Sequence, residues 1–165
     1  MKLSCVVSIL LAACIAVNAQ QAMPRMTTVE PGNGKVGDVI TARVTITLPQ
    51  DIYYFVLEDP IPAGTEPVDT SLLTTSQLNQ QPTISPAYDP YWWWGWWLFD
   101  RTEMRDQEID LYADFLPQGT YVYTYQVRAS IPGEFQTMPS DGYAFYFPEV
   151  FGRGAGTLFT ITEGD

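Results

Sequence analysis

The segment from Gly119 to Ile131 constrains the fold more than any other part of the chain. Tyr121, Tyr123, Tyr125, Val127, Ala129 and Ile131 alternate with Val122, Thr124, Gln126, Arg128 and Ser130. This is the period of two expected when one strand face is buried and the other is wet. Upstream, Ile109, Leu111 and Ala113 alternate with Asp110, Tyr112 and Asp114. Between the two runs, Leu116-Pro117-Gln118-Gly119 supplies a fixed φ at proline and a permissive one at glycine, so the spacing predicts a corner between strands. Leu116, Gly119 and Tyr121 together have the pattern of a tyrosine corner, in which a tyrosine near the start of a sandwich strand donates its hydroxyl to backbone a few residues upstream. The role assigned to Tyr121 is architectural, because a buried phenol needs a hydrogen-bond partner.

A second half-buried strand is expected over Val39–Leu48, where Ile40, Ala42, Val44, Ile46 and Leu48 alternate with Thr41, Arg43, Thr45 and Thr47. Its entry phrase, Val36-Gly37-Asp38, opens many extracellular immunoglobulin-like repeats. Pro49-Gln50 breaks this strand and Tyr53–Leu57 resumes as an apolar run, so the two are expected to pair as a hairpin. Asp69 or Thr70 caps a short helix through Ser71–Leu78, and Gln80–Pro90 reads as a loop. Glu134–Met138 is a short strand, Tyr143–Arg153 an aromatic loop, and Gly156–Thr162 a closing strand. Seven or eight short strands separated by turns, with at most one short helix, specify an all-β, immunoglobulin-like β-sandwich.

Met1–Ala19 combines Lys2, an apolar run from Val6 to Val17 and a small-residue exit at Val17-Asn18-Ala19, the layout of a cleaved secretory signal peptide. The apolar run is too short to be a membrane span. Residues 20–35 follow as a tether or edge segment, and residues 36–165 form the domain. The expected location is secreted or periplasmic. Leu11-Ala12-Ala13-Cys14 also resembles a bacterial lipobox, so the alternative is a lipid anchor at Cys14 at the envelope.

Cys5 and Cys14 are the only cysteines. Cleavage after Ala19 therefore leaves no disulfide, thiol nucleophile or thiolate metal site. A net charge of −11 with no histidine argues against nucleic-acid binding. It also removes the residue that most often serves as general base or metal ligand near neutral pH. Asp100, Glu103 and Asp106 lie beside Arg101 and Arg105, which points to an ion-paired turn rather than a catalytic carboxylate pair. Calcium-loop and phosphate-loop spacings are missing as well, so no enzyme activity, catalytic residue, metal or cofactor is expected.

Tyr91-Trp92-Trp93-Trp94-Gly95-Trp96-Trp97 holds every tryptophan of the protein. One reading packs a face of this stretch into the sandwich. The other exposes Trp93 or Trp96 as a platform for sugar rings or an apolar partner, because tryptophan combines large contact area with a polar N–H.

From about Val36 to Ile161 the chain resembles the C-terminal MG10 domain of bacterial alpha-2-macroglobulins. The likeness is carried in order by Phe99–Asp106, Ala113–Ala129, Pro132-Gly133-Glu134-Phe135 and Tyr146-Phe147-Pro148-Glu149-Val150-Phe151-Gly152-Arg153. It implies a macroglobulin-type sandwich from a secreted or periplasmic protein involved in trapping foreign proteases. In that family the domain sits against the thioester domain, and a tyrosine of its late loop shields the thioester; Tyr146 is the matching position. The chain departs from the full-length inhibitors in lacking a bait region and a Cys-Gly-Glu-Gln motif, so it cannot form the thioester. A leader directly before an MG10-like domain suggests a stand-alone module, a split-system component or a shortened descendant.

The expected function is thus a noncatalytic protein-interaction domain. A macroglobulin-like chain or a protease is its partner, and contact runs through Tyr143, Tyr146, Phe147, Glu149 and Arg153 together with Trp93 and Trp96. The alternative is a glycan-binding module that uses the Trp92–Trp97 cluster.

Overall fold

The computed structural model describes residues 23–29, 33–70, 83–86 and 98–164. The leader, the helix expected through Ser71–Leu78 and the tryptophan stretch with Trp93 and Trp96 lie outside the described residues. The described residues hold thirteen strands and no helix, numbered here along the chain. One sheet runs in the order β1 (Arg25–Val29), β3 (Val39–Leu48), β9 (Gly119–Ala129) and β5 (Thr65–Pro67), with β6 (Thr83–Pro86) also on β9. The facing sheet runs β12 (Phe147–Arg153), β11 (Asp141–Ala144), β4 (Ile52–Pro60), β8 (Glu108–Leu116) and β7 (Arg101–Met104). A small third sheet joins β10 (Gly133–Gln136), β13 (Leu158–Thr162) and β2 (Asn33–Lys35), the last two parallel.

The alternating runs of β3 and β9 lie where period two puts them, except that Gln126, expected on the wet face, is buried. β3 and β9 are antiparallel in continuous register from Val39↔Arg128 to Leu48↔Gly119. Their inward residues Ala42, Val44, Ile46, Tyr121, Tyr123, Tyr125 and Val127 pack against Phe55, Leu57, Ile109, Leu111 and Leu116 of the facing sheet. Phe159 and Ile161 of β13 join the same core. Each large apolar side chain buried this way contributes roughly 1.5–3 kcal/mol. Ile131 does not continue the pattern: β9 ends at Ala129 and Ile131 is 59% exposed.

The corner between β8 and β9 carries the chain from one sheet to the other. Tyr121 donates its hydroxyl to the Pro117 carbonyl at 2.7 Å, and burial pushes its pKa up. Leu116 is fully buried beneath the corner. Gly119 is not in the left-handed region. It lies close to the Tyr121 ring, where an added Cβ would meet the hydroxyl oxygen at 3.4 Å, so its contribution is space rather than an unusual φ.

Three expectations are corrected. Thr83–Pro86, inside the expected loop Gln80–Pro90, forms β6 on the edge of β9. β3 and β4 do not pair: β3 lies between β1 and β9, while β4 lies between β8 and β11. Both strands bury an apolar face, and turning the chain between sheets at Pro49-Gln50 lets those faces meet across the core instead of side by side. Tyr143–Arg153 is not a loop but part of an antiparallel hairpin, β11 with β12. Buried Ala144 and Val150 anchor it to the core while its other side chains remain wet.

β4 also extends further than its apolar run, through Pro60, because Asp59 is satisfied inside the sandwich. Its Oδ2 accepts the Tyr125 hydroxyl at 2.7 Å and its Oδ1 accepts the Ser140 hydroxyl at 2.5 Å. This buried polar link ties β4 of one sheet to β9 of the other and to the residue just before β11. Partnered in this way, a carboxyl can occupy a core position that would otherwise be costly.

Candidate protein-docking site

The turn of the β11–β12 hairpin projects Phe145, Tyr146 and Phe147 at 59%, 64% and 60% exposure. Register shifts between Tyr143 and Ala144, which ends the regular ladder just before the turn. The turn is tied back to the sheet by the Phe145 N–H, which donates to the Tyr54 carbonyl at 2.8 Å. Tyr146 stands edge to face against Tyr54, with centroids 4.9 Å apart at 90°, and against Phe145 at 5.2 Å and 88°. Edge-to-face contacts of this kind favour one ring arrangement over others. The turn is therefore held in one arrangement although its rings face water.

Tyr54 makes this arrangement by leaving normal strand geometry. It is the one described non-glycine residue with positive φ, at 53°. In a regular strand, neighbours point to opposite faces, yet Tyr53 and Tyr54 are both exposed between buried Ile52 and Phe55. Directly across, Asp114 and Phe115 are both exposed between buried Ala113 and Leu116. The Ile52↔Leu116 and Phe55↔Ala113 pairings keep one register across Tyr54, which itself has no partner on β8, so the two strands change parity together. Tyr53 and Phe115 then meet on the outside with centroids 4.8 Å apart. A bulky residue in the left-handed region is uncommon and costs on the order of 1–3 kcal/mol, a pattern that clusters at binding sites.

The remaining residues singled out in the sequence do not gather here. Tyr143 lies on the outer face of the sheet and donates its hydroxyl to Glu58 at 2.8 Å. Burial, then that bond, pushes its pKa up to about 12. Glu149 is exposed on β12. Arg153 is at the far end of β12, about 20 Å from Phe147 by strand rise, where it grips Asp141 bidentately at 2.5 and 2.7 Å. Tyr53, Tyr54, Phe115 and Phe145 were missed. The adjacent pair Tyr53-Tyr54 held the signal, since an alternating strand cannot bury both on one face.

The charged segment before β8 is a β7–β8 hairpin laced by ion pairs. Glu103 is held by Arg101 and, at 2.5 Å, by Arg105, and the Arg105 bond is the largest cause lowering its pKa. Arg105 also reaches Glu108 at 3.2 Å and Asp110 at 3.4 Å. Asp110, expected on a wet face, is 3% exposed and its Oδ1 has no hydrogen-bond partner among the described residues. Burial, followed by the charge of Glu108, raises its pKa. Among the described residues no cluster of acidic side chains could hold a metal ion. No helix among them is long and apolar enough to cross a membrane.

A two-sheet macroglobulin-type sandwich with a rigid aromatic hairpin turn defines the class of this protein. The sequence model of the bacterial alpha-2-macroglobulin MG10 domain matches residues 16–149, and the chain belongs to that family. A curated relative, an alpha-2-macroglobulin homolog of Nostoc sp., is 33% identical over 128 residues, covering 78% of this chain and 6% of the relative. The chain thus spans a small fraction of that relative's length.

Among solved structures, Escherichia coli alpha-2-macroglobulin activated by porcine elastase is similar with a TM-score of 0.69 and 16% identity, over 86% of this chain and 13% of that one. The trypsin-activated form from Escherichia coli gives a TM-score of 0.64 at 16% identity, over 85% and 10%. Salmonella alpha-2-macroglobulin reacted with methylamine gives 0.62 at 20%, over 86% and 9%. At these identities the structural likeness establishes the fold.

Proposed function

We propose that this chain is a secreted or periplasmic, noncatalytic protein-interaction domain that serves a macroglobulin-type protease trap. It docks through the aromatic turn of β11–β12. The observation that carries this reading is Tyr146: a large ring at 64% exposure, braced between two perpendicular neighbours. Holding an aromatic ring rigid in water has no benefit to the core, whereas a preorganised aromatic anchor lowers the ordering cost of binding. Membership of the MG10 family supports a macroglobulin-like chain or a protease as the partner. The lysine, apolar run and small-residue exit of Met1–Ala19 support export.

The test places a photoreactive benzoylphenylalanine at position 146 and irradiates the tagged domain in the envelope and secreted fractions of its own organism. One macroglobulin-type chain or one protease is expected to crosslink. Its capture by the unmodified domain should be lost with Tyr146→Ala. Equal capture by wild type and Tyr146→Ala would contradict the proposal.

A further inference from the structure

The carboxylates of this molecule fall into two groups. Asp141 is held by Arg153, and Glu103, Glu108 and Asp110 are reached by Arg105. The carboxylates bordering the aromatic turn have no such cation. Asp51, Asp114 and Glu149 are exposed and form no ion pair with a described cation. Asp51–Phe55, Asp114–Gln118 and Phe145–Val150 contain no lysine or arginine; the cation nearest this end is Arg25 of β1, a strand that touches β11 and β12, and it forms no ion pair with a described carboxylate. Exposed rings with a net negative border suit a cation carried on an apolar surface. An arginine or lysine can lie on the aromatic faces while the border supplies the charge. The molecule already makes one such contact internally, with the Arg101 guanidinium 5.9 Å from the Tyr112 ring centre.

We propose that Tyr54, Phe145 and Tyr146, bordered by Asp114 and Glu149, form a docking surface for a protein partner that presents an arginine or lysine among apolar side chains. The inference rests on the docking reading above and specifies the partner's chemistry. The strained backbone of Tyr54 is the second sign of a built site: it turns a ring outwards, where it packs edge to face against Tyr146, instead of into the core.

The test is an NMR titration of the isotope-labelled domain with the capped tripeptide Arg-Leu-Arg, using Glu-Leu-Glu as control. The basic peptide should shift resonances of Tyr54, Asp114, Phe145 and Tyr146. The shifts should weaken several-fold in about 0.5 M salt, which shortens the Debye length. Asp114→Asn should weaken the interaction several-fold. Tyr54→Gly, which removes the ring while accepting the positive φ, should do the same without loss of fold. Equal shifts with the acidic peptide, or shifts confined to the Asp141 and Glu103 face, would overturn the inference. If that happens while Tyr146→Ala still abolishes capture of the natural partner, only the basic partner is lost. Basic-peptide binding at the turn with capture unaffected by Tyr146→Ala would instead remove the docking reading.

Discussion

The tyrosines of β9 and those around the hairpin turn are the same residue type under opposite constraints. Tyr121, Tyr123 and Tyr125 point inwards at 5%, 4% and 1% exposure, whereas Tyr53, Tyr54 and Tyr146 point outwards at 63%, 48% and 64%. Inside, the phenol must find an acceptor: Tyr121 reaches Pro117 and Tyr125 reaches Asp59. Tyr123 is the exception, with a buried hydroxyl that has no hydrogen-bond partner among the described residues and a pKa driven upwards by burial. At the turn, the rings are braced by one another and their hydroxyls form no hydrogen bond with another described residue. The interior set fixes how two sheets pack; the exterior set is fixed by packing and offers its surface to something else.

Substitutions can break this contrast in a graded order. Tyr125→Phe should be the most damaging, destabilising by roughly 2–3 kcal/mol in chemical denaturation because the buried Asp59 carboxyl loses a donor. Tyr121→Phe should cost about 1–2 kcal/mol, since the Pro117 carbonyl at the corner is left without its partner. A smaller denaturation midpoint change than that of a surface substitution would remove the tyrosine corner from the account.

Asp110→Asn should act in the opposite direction. The folded state raises the Asp110 pKa, mainly by burial. Its favourable contribution is therefore complete below the unfolded value near 3.8 and is lost as pH rises through the folded value. At neutral pH the asparagine variant should be more stable by no more than about 1 kcal/mol, and the gain should vanish on acidification; a stability difference independent of pH would contradict it. Tyr146→Ala should be the mildest, within about 0.5 kcal/mol of wild type in thermal unfolding, because its ring pairs among the described residues are with exposed Tyr54 and Phe145.

Strands whose chemistry is local were legible in the sequence. The alternation of Val39–Leu48 and of Gly119–Ala129 gave both the elements and their inward faces, and Pro117 with Tyr121 gave the corner. Pairing was less legible, because β3 and β4 each carry an apolar face and nothing local says whether such faces join edge to edge or across a core. Asp110 was placed on a wet strand face, and Asp59 lies past the apolar run Tyr53–Leu57, because a side chain does not announce a distant partner; Ser140 and Tyr125 come to Asp59 only through the fold. Of the candidate site, Tyr146 and Phe147 were expected from family likeness. Tyr54 was not, since its placement depends on one backbone angle and on a hairpin far along the chain. Arg153 shares the segment with Tyr146 but lies at the opposite end of β12, paired with Asp141.

The most direct test compares Tyr121→Phe and Tyr146→Ala side by side, measuring thermal unfolding and capture of the natural protein partner on the same preparations. The account predicts a crossed result: Tyr121→Phe melts earlier and still captures below its melting temperature, while Tyr146→Ala melts like wild type and captures nothing. Parallel losses in both properties for Tyr146→Ala, or intact capture by it, would contradict the separation of a fold-holding tyrosine set from a partner-holding one.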